Sequence, residues 1–179
     1  MTNPYQRLFI AINFTTETKG KLTALQEHLR VRSKGGNFTL PENLHLTLAF
    51  LGDCNPAQTA AIKSAMDSTN FDPFTIEIDR TGYFKGAGGD TWWAGLKENK
   101  PLQDLQRKLA HNVSNQGMEK RKFTPHITLG RRVITDASPQ HITPFGETAS
   151  KIHLMKSERI KGKLTYTSVY MRGKRISPI

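Results

Sequence analysis

The sequence predicts an α+β protein of two lobes, each an antiparallel-rich sheet with outer helices, facing one another across a central cleft. Three observations carry this. Strand-like and helix-like stretches alternate along the chain. A strand–helix–strand order occurs twice, at about residues 6–52 and 90–131. Both closing strands carry His-x-Thr-Leu, first at His45–Leu48 and again at His126–Leu129. The spacings agree: His45 lies 36 positions after Phe9, and His126 lies 33 after Trp93. Identity outside the motif is slight, so the repeat rests on element order and motif position. The simplest architecture relates the lobes by a pseudo-twofold axis within one domain, residues 1–179, each lobe lending one His-x-Thr strand to the cleft.

Each element has its own signal. "RLFIAINF" alternates, with Phe9 and Ala11 on one face and Leu8, Ile10 and Ile12 on the other. A helix from about Glu17 to Arg30 follows, with Leu22, Leu25 and Leu29 along one stripe. "SKGGN" reads as a loop. After the His45 strand, Asn55 and Pro56 are an N-cap and first helical position. "PFTIEIDR" alternates as a half-exposed strand, "KGAGGD" is a loop and "TWWAGL" is a strand. Pro101 opens a helix that carries Leu102, Leu105, Leu109 and Val113, and Gly117 ends it. Residues 132–147, beyond the His126 strand, read as irregular. "ASKIHLMKSE" and "KLTYTSVYMR" then form a hairpin through "RIKGK".

Bulk properties narrow the function. No apolar run approaches the roughly 18 residues of a membrane span, and "MTNPYQRLFIAINF" reads as a first strand, not a signal peptide. A lone cysteine, Cys54, cannot form an internal disulfide and suits a reducing cytoplasm. The net charge of +11 and a pI near 10.0 attract polyanions, nucleic acid first among them. Basic residues cluster at Lys120, Arg121, Lys122, Arg131 and Arg132 around His126, and again from Lys151 to Arg175.

The motif itself suggests a chemistry. Side chains alternate along a strand, so His45 and Thr47 share one face, about 7 Å apart along the strand. Leu44, Leu46 and Leu48 take the other face, as Ile127 and Leu129 do beside His126 and Thr128. Imidazole is suited to proton transfer near neutrality, and a hydroxyl can donate to an anionic oxygen without adding charge. Two such strands facing each other would hold a phosphate between two hydroxyls. One neutral histidine would take a proton from water, and one protonated histidine would give a proton to the leaving oxygen. That is acid–base phosphodiester cleavage, needing neither metal nor cofactor. Zinc fits less well: it wants three or four His, Cys or carboxylate ligands. Glu42 and Asp53 near the first motif have no counterparts beside the second. Gly-x-Ser-x-Gly and phosphate-loop motifs are absent.

"HLTLAFLG" and "FTPHITLGR" resemble the paired motifs of the two-histidine (2H) phosphoesterases. With "RLFIAI" and "WWAGL", the resemblance narrows to the RNA 2',3'-cyclic phosphodiesterases, also called LigT-like or 2'-5' RNA ligase proteins, and covers nearly the whole chain. It implies a bilobal fold around a water-filled cleft and a metal-free reaction. That reaction opens a 2',3'-cyclic phosphate at an RNA 3' end to a 2'-phosphate, in some members alongside reversible 2'-5' joining of tRNA-type halves. Carried over, His45 is the proton donor, His126 the proton acceptor, Thr47 and Thr128 hold the phosphate, and Arg131 lies near the phosphate or base. Many relatives have an arginine shortly before the tryptophan strand, where Asp90 and Thr91 stand here. The expected partner is RNA with a cyclic phosphate end, tRNA fragments or small nucleotides, met by a cytoplasmic monomer. The alternatives are a 2H enzyme of small cyclic nucleotides or 2'-5' oligonucleotides, and a non-catalytic RNA-binding protein. Tyr83 and Phe84 are candidates for base stacking, and one of Trp92 and Trp93 for the cleft wall. His28, His111, His141 and His153 read as structural or exposed.

Overall fold

The computed structural model describes residues 4–118 and 120–173. Along the chain run β1 (Gln6–Asn13), α1 (Thr16–Arg30), β2 (Ser33–Phe38), a 3-10 turn (Pro41–Asn43), β3 (His45–Cys54), α2 (Pro56–Ser68) and β4 (Phe74–Phe84). Then come β5 (Asp90–Leu96), α3 (Lys100–Asn112), a 3-10 turn (Ser114–Gln116), β6 (His126–Thr135), β7 (His141–Ala149), β8 (Lys151–Ile160) and β9 (Lys163–Gly173). The strands form two antiparallel sheets, ordered β3-β1-β8-β9 and β2-β6-β5-β4-β7. The α+β architecture expected from the sequence is the one observed.

Local chemistry sets the elements. The α1 N-cap is Thr15, whose hydroxyl accepts from the Thr18 N–H. Asn55 and Gln58 form a reciprocal capping box at α2, with bonds of 2.8 and 2.9 Å, and Pro56 follows the cap. Asn99 caps α3. In β1, Leu8, Ile10 and Ile12 join the main core, while Phe9 and Ala11 turn to the opposite face. The helices are exchanged between sheets. α1 leaves β1 of the first sheet but packs on β2, β6 and β7 of the second; α3 leaves β5 of the second sheet but packs on β3 and α2. Each repeat therefore covers the other's sheet, and one core links Ile10, Leu22, Leu46, Ile78, Leu105 and Ile127.

Three expectations are corrected. "SKGGN" is not a loop but most of β2, an edge strand paired with β6. Its backbone bonds to β6 override the poor strand propensity of two glycines. Residues 132–147 are not irregular: β6 runs on to Thr135, and β7 pairs along β4. β7 hides from pattern reading because it is an exposed edge strand interrupted by Pro144 and Gly146, which edges tolerate. α3 ends at Asn112, and Gly117 instead closes the following 3-10 turn at φ 86°. The expected final hairpin forms as β8–β9, turning on Lys161 and Gly162, both left-handed (φ 50° and 78°), as a two-residue turn with matching twist requires. Lys174 and Arg175, the end of the second basic group, lie outside the described residues.

Candidate active site

β3 and β6 come together without sharing a ladder, so the two motif strands face each other. Between them lies a cleft of about 910 Å³ lined by His45, Thr47, His126, Thr128 and Arg131. Among the described residues, no Asp or Glu lines it. All five residues singled out from the sequence thus meet in one place. A smaller depression of about 470 Å³, between α1 and residues 137–143, holds none of them.

The two imidazoles are oriented alike. His45 Nδ1 donates to the Asn43 carbonyl (2.6 Å), and His126 Nδ1 donates to the Thr124 carbonyl (2.7 Å). In each case the partner lies two residues back. A carbonyl only accepts, so Nδ1 carries its proton and Nε2 is left free to exchange one. On His45, Nε2 meets the Thr47 hydroxyl at 2.8 Å, the contact expected of residues sharing a strand face. The apolar faces behave as predicted: Leu44, Leu46, Leu48, Ile127 and Leu129 are buried.

Burial and positive charge hold both rings neutral in the open cleft. The His45 ring packs against Phe9 (centroids 4.9 Å) and Tyr166 (5.3 Å). Desolvation, reinforced by Lys19, Arg131 and His126, lowers its pKa from 6.5 to about 4 against the opposing pull of the Asn43 carbonyl. His126 is lowered too, again first by desolvation and then by Arg131, with the Thr124 carbonyl opposing. Its cover is Phe84, edge-on at 5.1 Å.

Other predicted contributors separate. Phe84 stands beside His126 and is 41% exposed, whereas Tyr83 packs on Trp92 (5.2 Å) in a small cluster with Leu29 and Val133. Trp92 is buried; Trp93 pairs with Thr128 across the ladder and so takes the His126 face. Its indole lies across Gly82, where a Cβ would sit 2.3 Å from the ring, so residue 82 must be glycine for Trp93 to lie flat. The basic groups also divide. Arg131 and Arg132 both line the cleft because β6 bulges there: three steps from Gly130 to Val133 oppose two from Trp92 to Asp90, and Arg132 adopts φ 54°. Of the second group, Arg159 lines the cleft, Lys156 pairs with Glu158, and Arg172 is buried, bonding the Asp67 carbonyl and Asn70. Sequence reading missed Arg7, Phe9, Asn43 and Tyr166 as cleft residues. The cleft-side alternation of β1 was the available signal for Arg7 and Phe9; nothing in the local pattern marks Asn43 or Tyr166. Among the described residues, no three His, Cys, Asp or Glu side chains converge as a metal site, and no helix is long and apolar enough to cross a membrane.

Comparison with known proteins fits this geometry. The family model of LigT-like phosphoesterases matches residues 12–93, a span that includes His45 and Thr47 and ends before His126. A Thermotoga maritima protein named RNA 2',3'-cyclic phosphodiesterase is 33% identical over 129 residues, 70% of this chain and 69% of its own. An Escherichia coli protein of the same name is 28% identical over 178 residues, 93% and 95% of the two chains. The crystal structure of E. coli LigT in apo form superposes with a TM-score of 0.83 at 24% identity, covering 96% of this chain and 99% of that one; its fold is the same. The relative at 33% identity carries the class, the two-histidine phosphoesterases, and the fold agrees with it. Within it, the chain belongs to the LigT-like family, together with the proteins named RNA 2',3'-cyclic phosphodiesterase.

Proposed function

We propose that this chain hydrolyses the 2',3'-cyclic phosphate at an RNA 3' end to a 2'-phosphate, without a metal. The observation that carries the reading is the pairing of two Nε2 atoms from opposite walls in a cleft free of carboxylates among the described residues. His126 Nε2 accepts a proton from water as the water oxygen attacks phosphorus. The P–O3' bond breaks on the opposite side, and His45 Nε2–H delivers its proton to O3'. Both transfers are supplied by side chains, so the step balances with water as the only co-reactant. Thr47, Thr128 and Arg131 hold the non-bridging oxygens. With the 5'-hydroxyl of a second RNA in place of water, the same step joins the two ends through a 2'-5' linkage, and its reverse cleaves that linkage.

His45 as donor must be protonated in the complex, although the open cleft holds its pKa near 4. The substrate resolves this: a bound phosphodiester brings a negative charge beside both rings, which favours imidazolium. The arginine charges of the cleft favour RNA over uncharged ligands and predict binding that weakens with salt. The test is hydrolysis of adenosine 2',3'-cyclic phosphate in EDTA by wild type, His45→Ala and His126→Ala. Release of the 2'-monophosphate by wild type alone is expected. A 3'-monophosphate product would overturn the leaving-group assignment. Absence of turnover on this substrate and on cyclic-phosphate-ended RNA would overturn the activity.

A further inference from the structure

The edges of the first sheet, β3 and β9, are three strand spacings apart in order, yet the turn Pro41–Asn43 before β3 contacts β9, and the His45 and Tyr166 rings meet. Register shifts at two points of the β1–β3 ladder add local twist. The sheet curls until Asn43, just before β3, reaches the far edge. There Asn43 Nδ2 donates to the Leu164 carbonyl (2.9 Å), and Oδ1 accepts from the Tyr166 N–H (3.3 Å). Asn43 is 4% exposed, so these bonds form away from water and losing either leaves a buried group unpaired. Its own carbonyl accepts from His45 Nδ1. One buried residue thus ties the turn before β3 to β9 through its side chain and holds the His45 imidazole through its backbone carbonyl.

The clasp places Tyr166 over the site. Its ring meets His45 edge-on at 85° and Phe9 at 74°. Among the described residues no hydrogen bond engages its hydroxyl, and the residue lines the cleft. Burial raises the phenol pKa against the pull of Arg131 and Arg7, so it is a protonated donor between two guanidinium charges. The Thr47 hydroxyl stands on the same wall, 2.8 Å from His45 Nε2. A neutral donor in the cleft wall beside His45 and two cations, unpartnered among the described residues, matches an anionic oxygen.

We propose that Tyr166 is a third hydroxyl donor to the reacting phosphate, held over His45 by the Asn43 clasp. This rests on the phosphoesterase reading above. Negative charge on the non-bridging oxygens grows toward the transition state, so the phenol's bond strengthens there. Asn43 touches no substrate and is a positioning residue.

Tyr166→Phe keeps the ring and removes only the oxygen. It is expected to lower kcat/KM on adenosine 2',3'-cyclic phosphate by roughly 10- to 100-fold, mostly in kcat, with Tm unchanged within about 2 °C. Asn43→Ala is expected to fall similarly, and the double variant little further, since both act on one contact. Should Asn43→Ala not fold, Asn43→Asp takes its place: it keeps the acceptor for Tyr166 and loses the donor to Leu164. Wild-type kcat/KM in Tyr166→Phe overturns the donor; additive losses overturn the clasp. If wild type itself turns over no cyclic phosphate, the activity fails separately. Titration with adenosine 2'-monophosphate then decides Tyr166, weaker binding by Tyr166→Phe supporting the contact and equal binding overturning it.

Discussion

His45 and His126 hold the same place in the same motif, but their surroundings differ. His45 sits between two aromatic rings, its Nε2 on Thr47 and its Nδ1 on the carbonyl of buried Asn43. His126 has one exposed aromatic neighbour, Phe84, and its Nδ1 rests on the carbonyl of Thr124, an exposed residue in the stretch between α3 and β6. Among the described residues no hydrogen bond joins its ring to Thr128. The same motif thus sits in two different surroundings: the scaffold packs one half closely and leaves the other more exposed. In the roles proposed above, a closely packed donor and a more exposed base suit a reaction in which water must reach only the base.

The largest effects fall on both halves alike. His45→Ala and His126→Ala should each lower kcat by about 10²–10⁴-fold, the usual range for a lost proton transfer. Stability separates them. His45→Ala empties a packed position and should lose about 1–2 kcal/mol, whereas His126→Ala should stay within about 0.5 kcal/mol. Urea midpoints measure this; equal losses would break the asymmetry.

pH sharpens the same contrast. The unfolded chain takes up a proton on His45 near pH 6.5, the folded protein only near 4. The unfolded state therefore binds more protons across that window, and stability is lost as pH falls from about 6.5 through 4. The loss from His45 is roughly 3 kcal/mol by pH 4, and His126 contributes in the same direction. Chemical denaturation at pH 4 and pH 7 should show His45→Ala losing visibly less than wild type. In turnover, the bound phosphodiester raises both imidazole pKa values, so the limbs of kcat should lie at higher pH than those of kcat/KM. Coincident profiles would mean the substrate charge does not act on the rings.

Much of this site was legible in the chain, and the limits have physical causes. Period-two alternation exposed His45, Thr47, His126 and Thr128 because each strand buries one face and shows the other. Asn55 and Pro56 announced α2 directly, since a cap and a first-turn proline act on neighbours in sequence. β2 and β7 were missed because edge strands are held by partners distant in sequence and bury little. Asn43 and Tyr166 were missed for a related reason. Their meaning arises only when the first sheet curls, bringing together residues over a hundred positions apart. The bulge that turns Arg132 into the cleft leaves no more trace in sequence than a second arginine.

Between the large and small effects lie the threonines. Thr47→Val removes a hydroxyl bonded to His45 and should lower kcat/KM by roughly 10-fold or more, with a shift in the His45 limb. Thr128→Val should lower turnover with little shift in the His126 limb, because that hydroxyl does not meet its histidine. Equal shifts in steady-state pH profiles would show that both threonines couple to their rings once substrate is bound.

The smallest effect belongs to Phe84, and it asks what an exposed ring beside the base is for. Edge-on aromatic contacts are worth about 0.5–1.5 kcal/mol, so Phe84→Ala should change kcat/KM only about 2- to 10-fold. Its sign in pH is fixed, however. Desolvation is the first cause of the lowered His126 pKa, and removing this cover returns the ring toward 6.5. The limb of kcat/KM that follows His126 should therefore move to higher pH, the same way for cyclic adenosine and cyclic uridine phosphates. A loss larger for adenosine, without movement of the limb, would instead make Phe84 a stacking surface for the terminal base. Phe84 is 41% exposed with Trp93 beside it (5.5 Å), so both roles are sterically open, and only the shielding role predicts a limb shift that ignores the base.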